Sequence, residues 1–165
     1  MKSRMAKKIL DPCCDSRMFW FDKNHPDAVY GDIRNEECVL CDGRYLSVSP
    51  DQPMDFRRLP FSDDQFKLVV FDPPHLKRVG KNSWMRKKYG CLNAKTWRED
   101  IRAGFSECFR VLSIDGVLIF KWNETQIKVS EILPLAGIKP LFGHPSGKKG
   151  GTHWIAFMKS QGNGH

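Results

Sequence analysis

The sequence predicts an α/β fold on a mostly parallel sheet with one antiparallel strand near the C-terminus, and three stretches carry that expectation. FKLVVF (66–71) sets five apolar or β-branched residues in short order, preceded by Ser-Asp-Asp-Gln and followed by Asp-Pro-Pro. Such a run marks a strand covered on both faces, as in a parallel sheet. TWREDIRAGFSECFRVL (96–112) sets Trp97, Ile101, Phe105, Phe109 and Leu112 three or four apart on one helical face, and it leads into a second apolar run, GVLIFKW (116–122). KPLFGH (139–144) and THWIAFMK (152–159) are joined by PSGKKGG, which is too short for a crossover helix, so these two strands run antiparallel.

In chain order, Lys7 to Leu10 reads as a first strand, and DPCCDSRMFWFD (11–22) as a loop with about two turns of helix. Ala28 to Gly31 is a second strand closed by Asp32. From Ile33 to Pro50 no helical period exists; ECVLCDGRYLSV (37–48) suggests a hairpin around Asp42-Gly43. A short third strand approaches Asp55 through Pro53 to Phe56. The 77–98 stretch reads as a loop, and Ile114-Asp115-Gly116 as a turn before GVLIFKW. KVSEILPLAG (128–137) is a weaker helix. The 165 residues fit one domain, 1–165, with enough length for a three-layer core.

Lys and Arg outnumber Asp and Glu by 27 to 19, a formal charge of +8 that favours an anionic partner. No apolar run approaches a membrane span, and the basic start MKSRMAKK precedes only Ile-Leu, too little for a signal peptide. A cytoplasmic protein without membrane contact is expected, with its six cysteines as reduced thiols. Cys38 and Cys41 form a single C-x-x-C; with no second one at matching spacing, no metal site is expected.

Asp11, Asp32, Asp55 and Asp72 each fall at or near the carboxyl end of an expected strand. Ligands of open α/β sheets bind at that edge. Ionised carboxylates accept hydrogen bonds only, so such a series suits a ligand with several hydroxyl and amino donors. Two prolines after Asp72 remove two donors and stiffen the turn, leaving its carbonyls as rigid acceptors.

ILDPCCDS (9–16), AVYGDIR (28–34), MDFRRLPFSDDQFKLVVFDPPH (54–75) and RVLSIDGVLIF (110–120) together resemble the class I S-adenosylmethionine-dependent methyltransferases. The likeness is to amino-group enzymes with a D/N-P-P-Y/F/W motif, especially small stand-alone methyltransferases of phages and prophages. It implies a Rossmann-like methyltransferase fold with S-adenosylmethionine as cofactor. It would set Asp11 and the loop Pro12, Cys13, Cys14 and Ser16 beside the methionine end, Asp32 at the ribose, and Asp55 with Phe56 at the adenine. Asp72, Pro73, Pro74 and His75 would face the methyl acceptor. The cofactor loop departs from the family in lacking glycine, and His75 stands where an aromatic ring is usual.

Methyl transfer to an exocyclic amine needs acceptors that localise the nitrogen lone pair, and the Asp72 carboxylate and Pro73 carbonyl supply two. Carbon-5 methylation of cytosine would need a nucleophilic thiolate after a loop proline, and only Cys13, within the cofactor motif, follows one. Lys77 to Arg98 holds no acidic residue. Its Lys77, Arg78, Lys81, Arg86, Lys87 and Lys88, interleaved with Trp84 and Tyr89, suit phosphates and stacked bases. The expected activity is methylation of an amino group of nucleic acid, DNA adenine first. The alternatives are a small-molecule or protein methyltransferase of the same fold, and a binding protein without turnover.

Overall fold

The computed structural model describes residues 6–81 and 83–162; the side chains of Lys88 and Tyr89 lie outside the described residues. Seven strands form the main sheet: β1 (Ile9–Asp11), β2 (Ala28–Asp32), β5 (Gln52–Pro53), β6 (Phe66–Phe71), β7 (Leu112–Asn123), β8 (Phe142–Ser146) and β9 (Thr152–Met158). Their order is β5-β2-β1-β6-β7-β9-β8. β9 alone is reversed, antiparallel to both β7 and β8, so β8 again runs with the parallel set. Chain order reverses across β1, which is flanked by β2 and β6, and that switch point opens a crevice at the strand ends. A separate hairpin, β3 (Glu36–Val39) and β4 (Tyr45–Val48), turns around Asp42-Gly43 as the dipeptide predicts.

Side-chain alternation sorts the sheet into two unlike faces. Leu10, Val69, Phe71, Leu118, Phe120, Trp122, Ile155 and Phe157 pack with the amphipathic helix α2 (Trp97–Val111) and with α3 (Val129–Ile132) and its 3-10 continuation (Leu133–Ala136). Val117, Ile119 and Trp154 on the other face are half-buried, and Met158 is exposed. Among the described residues no helix covers them, so the expected third layer is missing. Around β1 and β2 that face is closed by turns, with Trp20 packed on Cys14, Ala28 and Tyr30.

Four local expectations are corrected. Residues 12–24 are a succession of turns with no helix. Asp15 (φ 47°) and Arg17 (φ 57°) adopt the left-handed conformation, which a helix cannot absorb. The third strand is only Gln52–Pro53, and Asp55 lies beyond it, bridged to Arg58. The 77–98 stretch is not loop throughout: α1 (Trp84–Tyr89) starts where Ser83 Oγ accepts from Met85 N and ends at Gly90, whose φ of 72° suits glycine. The expected turn at 114–116 is absorbed into β7, with a left-handed Asp115 (φ 63°) as the kink.

Candidate functional site at the strand ends

The register places Asp11, Asp32, Asp72 and Lys121 at the carboxyl ends of four neighbouring strands, all on the helix-free face. Asp11 is paired with Tyr30 of β2, Lys121 follows Phe120, which pairs with Phe71, and Asp72 follows Phe71. Asp11 is fully buried; its oxygens accept from Trp20 Nε1 at 2.8 Å and Cys13 N at 3.3 Å. Asp32, also buried, accepts from Arg34 N at 2.9 Å, Arg34 Nε at 3.1 Å and Asp15 N at 3.1 Å. These side-chain acceptors take the place of the helical bonds the loop after β1 does not make.

Over these ends lies a cavity of about 550 Å³. Of the expected cofactor residues, Pro12, Cys13, Asp32, Asp55 and Phe56 line it; Asp11, Cys14 and Ser16 do not. Cys14 is buried beneath the loop, and Ser16 faces a second, polar depression with Arg17 and Ser49. Met54 forms part of the floor, set close to β2 because Gly31 has no side chain: a Cβ there would lie 2.3 Å from its sulfur. Phe56 packs on Phe71 at 5.5 Å between ring centroids. Asp55 is turned to Arg57, with Nη2 at 2.6 Å, and that hydrogen bond holds its carboxyl below the usual range. Lys81, Arg86 and Lys87 of the basic stretch form a cationic wall, and Pro74 joins the lining from the DPPH turn.

The other residues expected to face the methyl acceptor or the substrate adjoin this turn or lie on the basic stretch after it. Asp72 Oδ2 accepts from Lys121 Nζ at 3.2 Å, and the Lys121 ammonium lies 5.3 Å from the ring centre of Phe19 and 5.6 Å from that of Trp154. His75 meets the edge of Trp122 at 6.3 Å. Pro73 is buried, and Arg78 and Trp84 lie towards solvent. Lys77 is half-buried, its main chain held with that of Arg78 by Gln126 Oε1 at 2.8 and 2.9 Å.

Burial governs the electrostatics, and the crowding of carboxylates adds to it. Burial pushes Asp11 up to about 7, with the charge of Asp72 adding to the rise against the Trp20 hydrogen bond. Asp15 is raised well above the usual range by burial and by Asp72, against the pull of Arg34. Asp72 is raised by burial, and Lys121 opposes the rise. His75 is lowered to about 4 by burial and by Lys121, so its imidazole is neutral at neutral pH. Burial also raises the thiols of Cys13 and Cys14, which makes them poor nucleophiles.

Two residues that motif reading left unassigned organise the site. Arg34 pairs with both Asp15 and Asp32. Its only signal was its place in AVYGDIR. Lys121 is the polar residue in GVLIFKW, and a lone lysine in a buried strand beside the DPP strand was the available sign.

No protein-family model and no curated sequence matches the chain. Solved structures with the same architecture include a protein from Pyrococcus horikoshii OT3, 14% identical, with 97% of this chain covering 84% of that one at a TM-score of 0.59. A TehB-like SAM-dependent methyltransferase from Corynebacterium glutamicum is 13% identical, with coverage of 94% and 81% and a TM-score of 0.57. A SAM-dependent methyltransferase from Methanosarcina mazei is 10% identical, with coverage of 94% and 93% and a TM-score of 0.53. With its mostly parallel sheet, its one reversed strand and its crevice over the strand ends, the chain has the fold of the S-adenosylmethionine-dependent methyltransferases.

Proposed function

We propose that the protein is an S-adenosylmethionine-dependent methyltransferase acting on an exocyclic amino group of nucleic acid, with adenine in DNA as the first candidate. The observation that carries the reading is the strand-end carboxylate cluster. Asp11, Asp15, Asp32 and Asp72 crowd together; burial and neighbouring charges raise the proton affinity of Asp11, Asp15 and Asp72, and the direct ion pairs of the four among the described residues are with Arg34 and Lys121 alone. With Asp72 paired to Lys121 and left to the methyl acceptor, the other three acids against Arg34 form a site that favours a cationic ligand. The cavity's volume suits a nucleoside-sized molecule.

Asp32 would hold the ribose hydroxyls, and Phe56, Asp55 and Met54 the adenine end. When bound, the cofactor supplies an electrophilic methyl group on a sulfonium. Asp72 accepts one N–H of the target amine and turns its lone pair toward that carbon. The surplus proton of the methylated amine would pass to the Asp72 carboxylate. The raised proton affinity of Asp72 suits that last task. His75, neutral and half-buried, offers a flat ring for stacking. The wall of Lys81, Arg86 and Lys87 supports phosphate contact at the cavity mouth. A base in a duplex would have to be flipped out to reach this edge.

Tritium transfer from labelled cofactor to DNA, RNA and lysate fractions tests the reading. Label is expected in DNA, and Asp72→Ala should abolish transfer while cofactor affinity measured by calorimetry stays nearly intact. Label in protein or small molecules alone, or full activity of Asp72→Ala, would refute it.

A further inference from the structure

The Asp72–Lys121 pair sits where the sequence led us to expect a carboxylate alone. Asp72 follows the last residue of β6 and Lys121 follows the Phe120 that pairs with it in β7, so the two stand on the same face of adjacent parallel strands with Nζ 3.2 Å from Oδ2. An ammonium carries three N–H donors, and Asp72 engages one of them. Among the described residues no hydrogen bond is made to Asp72 Oδ1. The rings of Phe19 and Trp154 meet edge to face at 5.3 Å and flank the ammonium, which fixes it over the strand ends. A hydrogen-bond acceptor and a donor thus stand side by side at the start of the DPPH turn, whose Pro74 lines the cavity.

We propose that Asp72 and Lys121 together read an amino group attached to a ring carbon that also bears an unprotonated ring nitrogen: Asp72 accepts from the amine, and Lys121 donates to the ring nitrogen. This rests on the function proposed above and narrows its acceptor. Adenine and cytosine both present such an edge, a donor beside an acceptor on the Watson–Crick side. An aliphatic amine, such as a protein lysine, has no acceptor at that place and leaves Lys121 without its second partner. Lys121 would then be a residue of substrate specificity as well as the counter-ion of Asp72.

The test replaces the ring nitrogen by carbon. Thymine-tract oligonucleotides carrying a single adenine or a single cytosine are compared with the same strands carrying 1-deazaadenine or 3-deazacytosine, and 7-deazaadenine serves as control. The wild-type protein is expected to methylate the first deaza pair at least about 10-fold more slowly, the loss for one base-edge hydrogen-bond pair, and 7-deazaadenine at the normal rate. Lys121→Met should methylate normal and deaza bases equally slowly, and Lys121→Arg should restore part of the preference. Cofactor binding by each variant reports that it is folded. A wild-type protein indifferent to the ring nitrogen overturns the proposal without any mutation, as does a Lys121→Met variant that keeps the full preference. If no oligonucleotide is methylated although cofactor binds, the nucleic-acid reading itself has failed, and this inference falls with it.

Discussion

Arg34 donates a hydrogen bond to the main-chain carbonyl of Lys87 at 2.8 Å while its guanidinium holds Asp15 and Asp32. One side chain therefore ties the basic α1 segment to the acidic floor of the cavity.

Replacing Arg34 by Met removes the counter-ion of two largely buried carboxylates and frees α1 at once. A loss of about 3 kcal/mol of stability is expected, the lower end for breaking a buried pair. Hydrogen exchange should accelerate at residues 84–90 well beyond the change elsewhere. Uniform protection across α1 would show that Lys87 is held by other contacts.

Asp32→Ala should weaken cofactor binding by about 1.5–3 kcal/mol through the loss of charge-assisted hydrogen bonds. Asp32→Asn separates two causes, because its side-chain oxygen can still accept from Asp15 N and preserve the loop. Calorimetry should place Asn between wild type and Ala. Equal affinity in all three removes Asp32 from the cofactor site.

The proton affinity of the cluster makes both stability and binding depend on pH. Asp11 is raised from 3.8 to about 7, and Asp15 and Asp72 are raised as well. Across that window the folded protein holds more protons than the unfolded chain, so stability falls as pH rises. A cationic ligand favours the ionised carboxylates, so cofactor affinity should increase from pH 5 to pH 7 with release of protons. Calorimetry in two buffers of different ionisation heat measures that release; identical heats would contradict it.

His75 titrates at about 4, so the rate of methyl transfer should show no step from this imidazole near neutrality. His75→Phe is expected to retain activity, and His75→Ala to lose about 1–3 kcal/mol of acceptor binding, the worth of one stacked base. An inactive Phe variant would mean that the ring nitrogens are needed.

Much of this framework was legible in the chain because burial writes itself as runs and periods: FKLVVF, GVLIFKW and the stripe from Trp97 to Phe109 lie where their patterns place them, while Leu112, read on the helix, opens β7. Turns without such patterns were not. Phe19, Trp20 and Phe21 looked like helical residues, yet Trp20 packs on Tyr30 while Phe21 is exposed, and carboxylates of Asp11 and Asp32 capture loop N–H groups. The α1 helix carries only its end signals, Ser83 and Gly90, in a stretch too basic to show an apolar face. The Arg34 and Lys121 pairings depend on which strands become neighbours, which no local window encodes.

The reversed strand sets the order in which the sheet can be completed. Among the described residues β8 pairs with β9 alone, and β9 closes the outer edge of β7 from Val117 to Asn123. Until residues 152–158 are in place, β8 has no ladder to join and GVLIF presents unpaired donors and acceptors to any passing strand. Folding of the β7 side is thus a late, long-range event, and a chain interrupted before Thr152 would expose a sticky sheet edge prone to self-association.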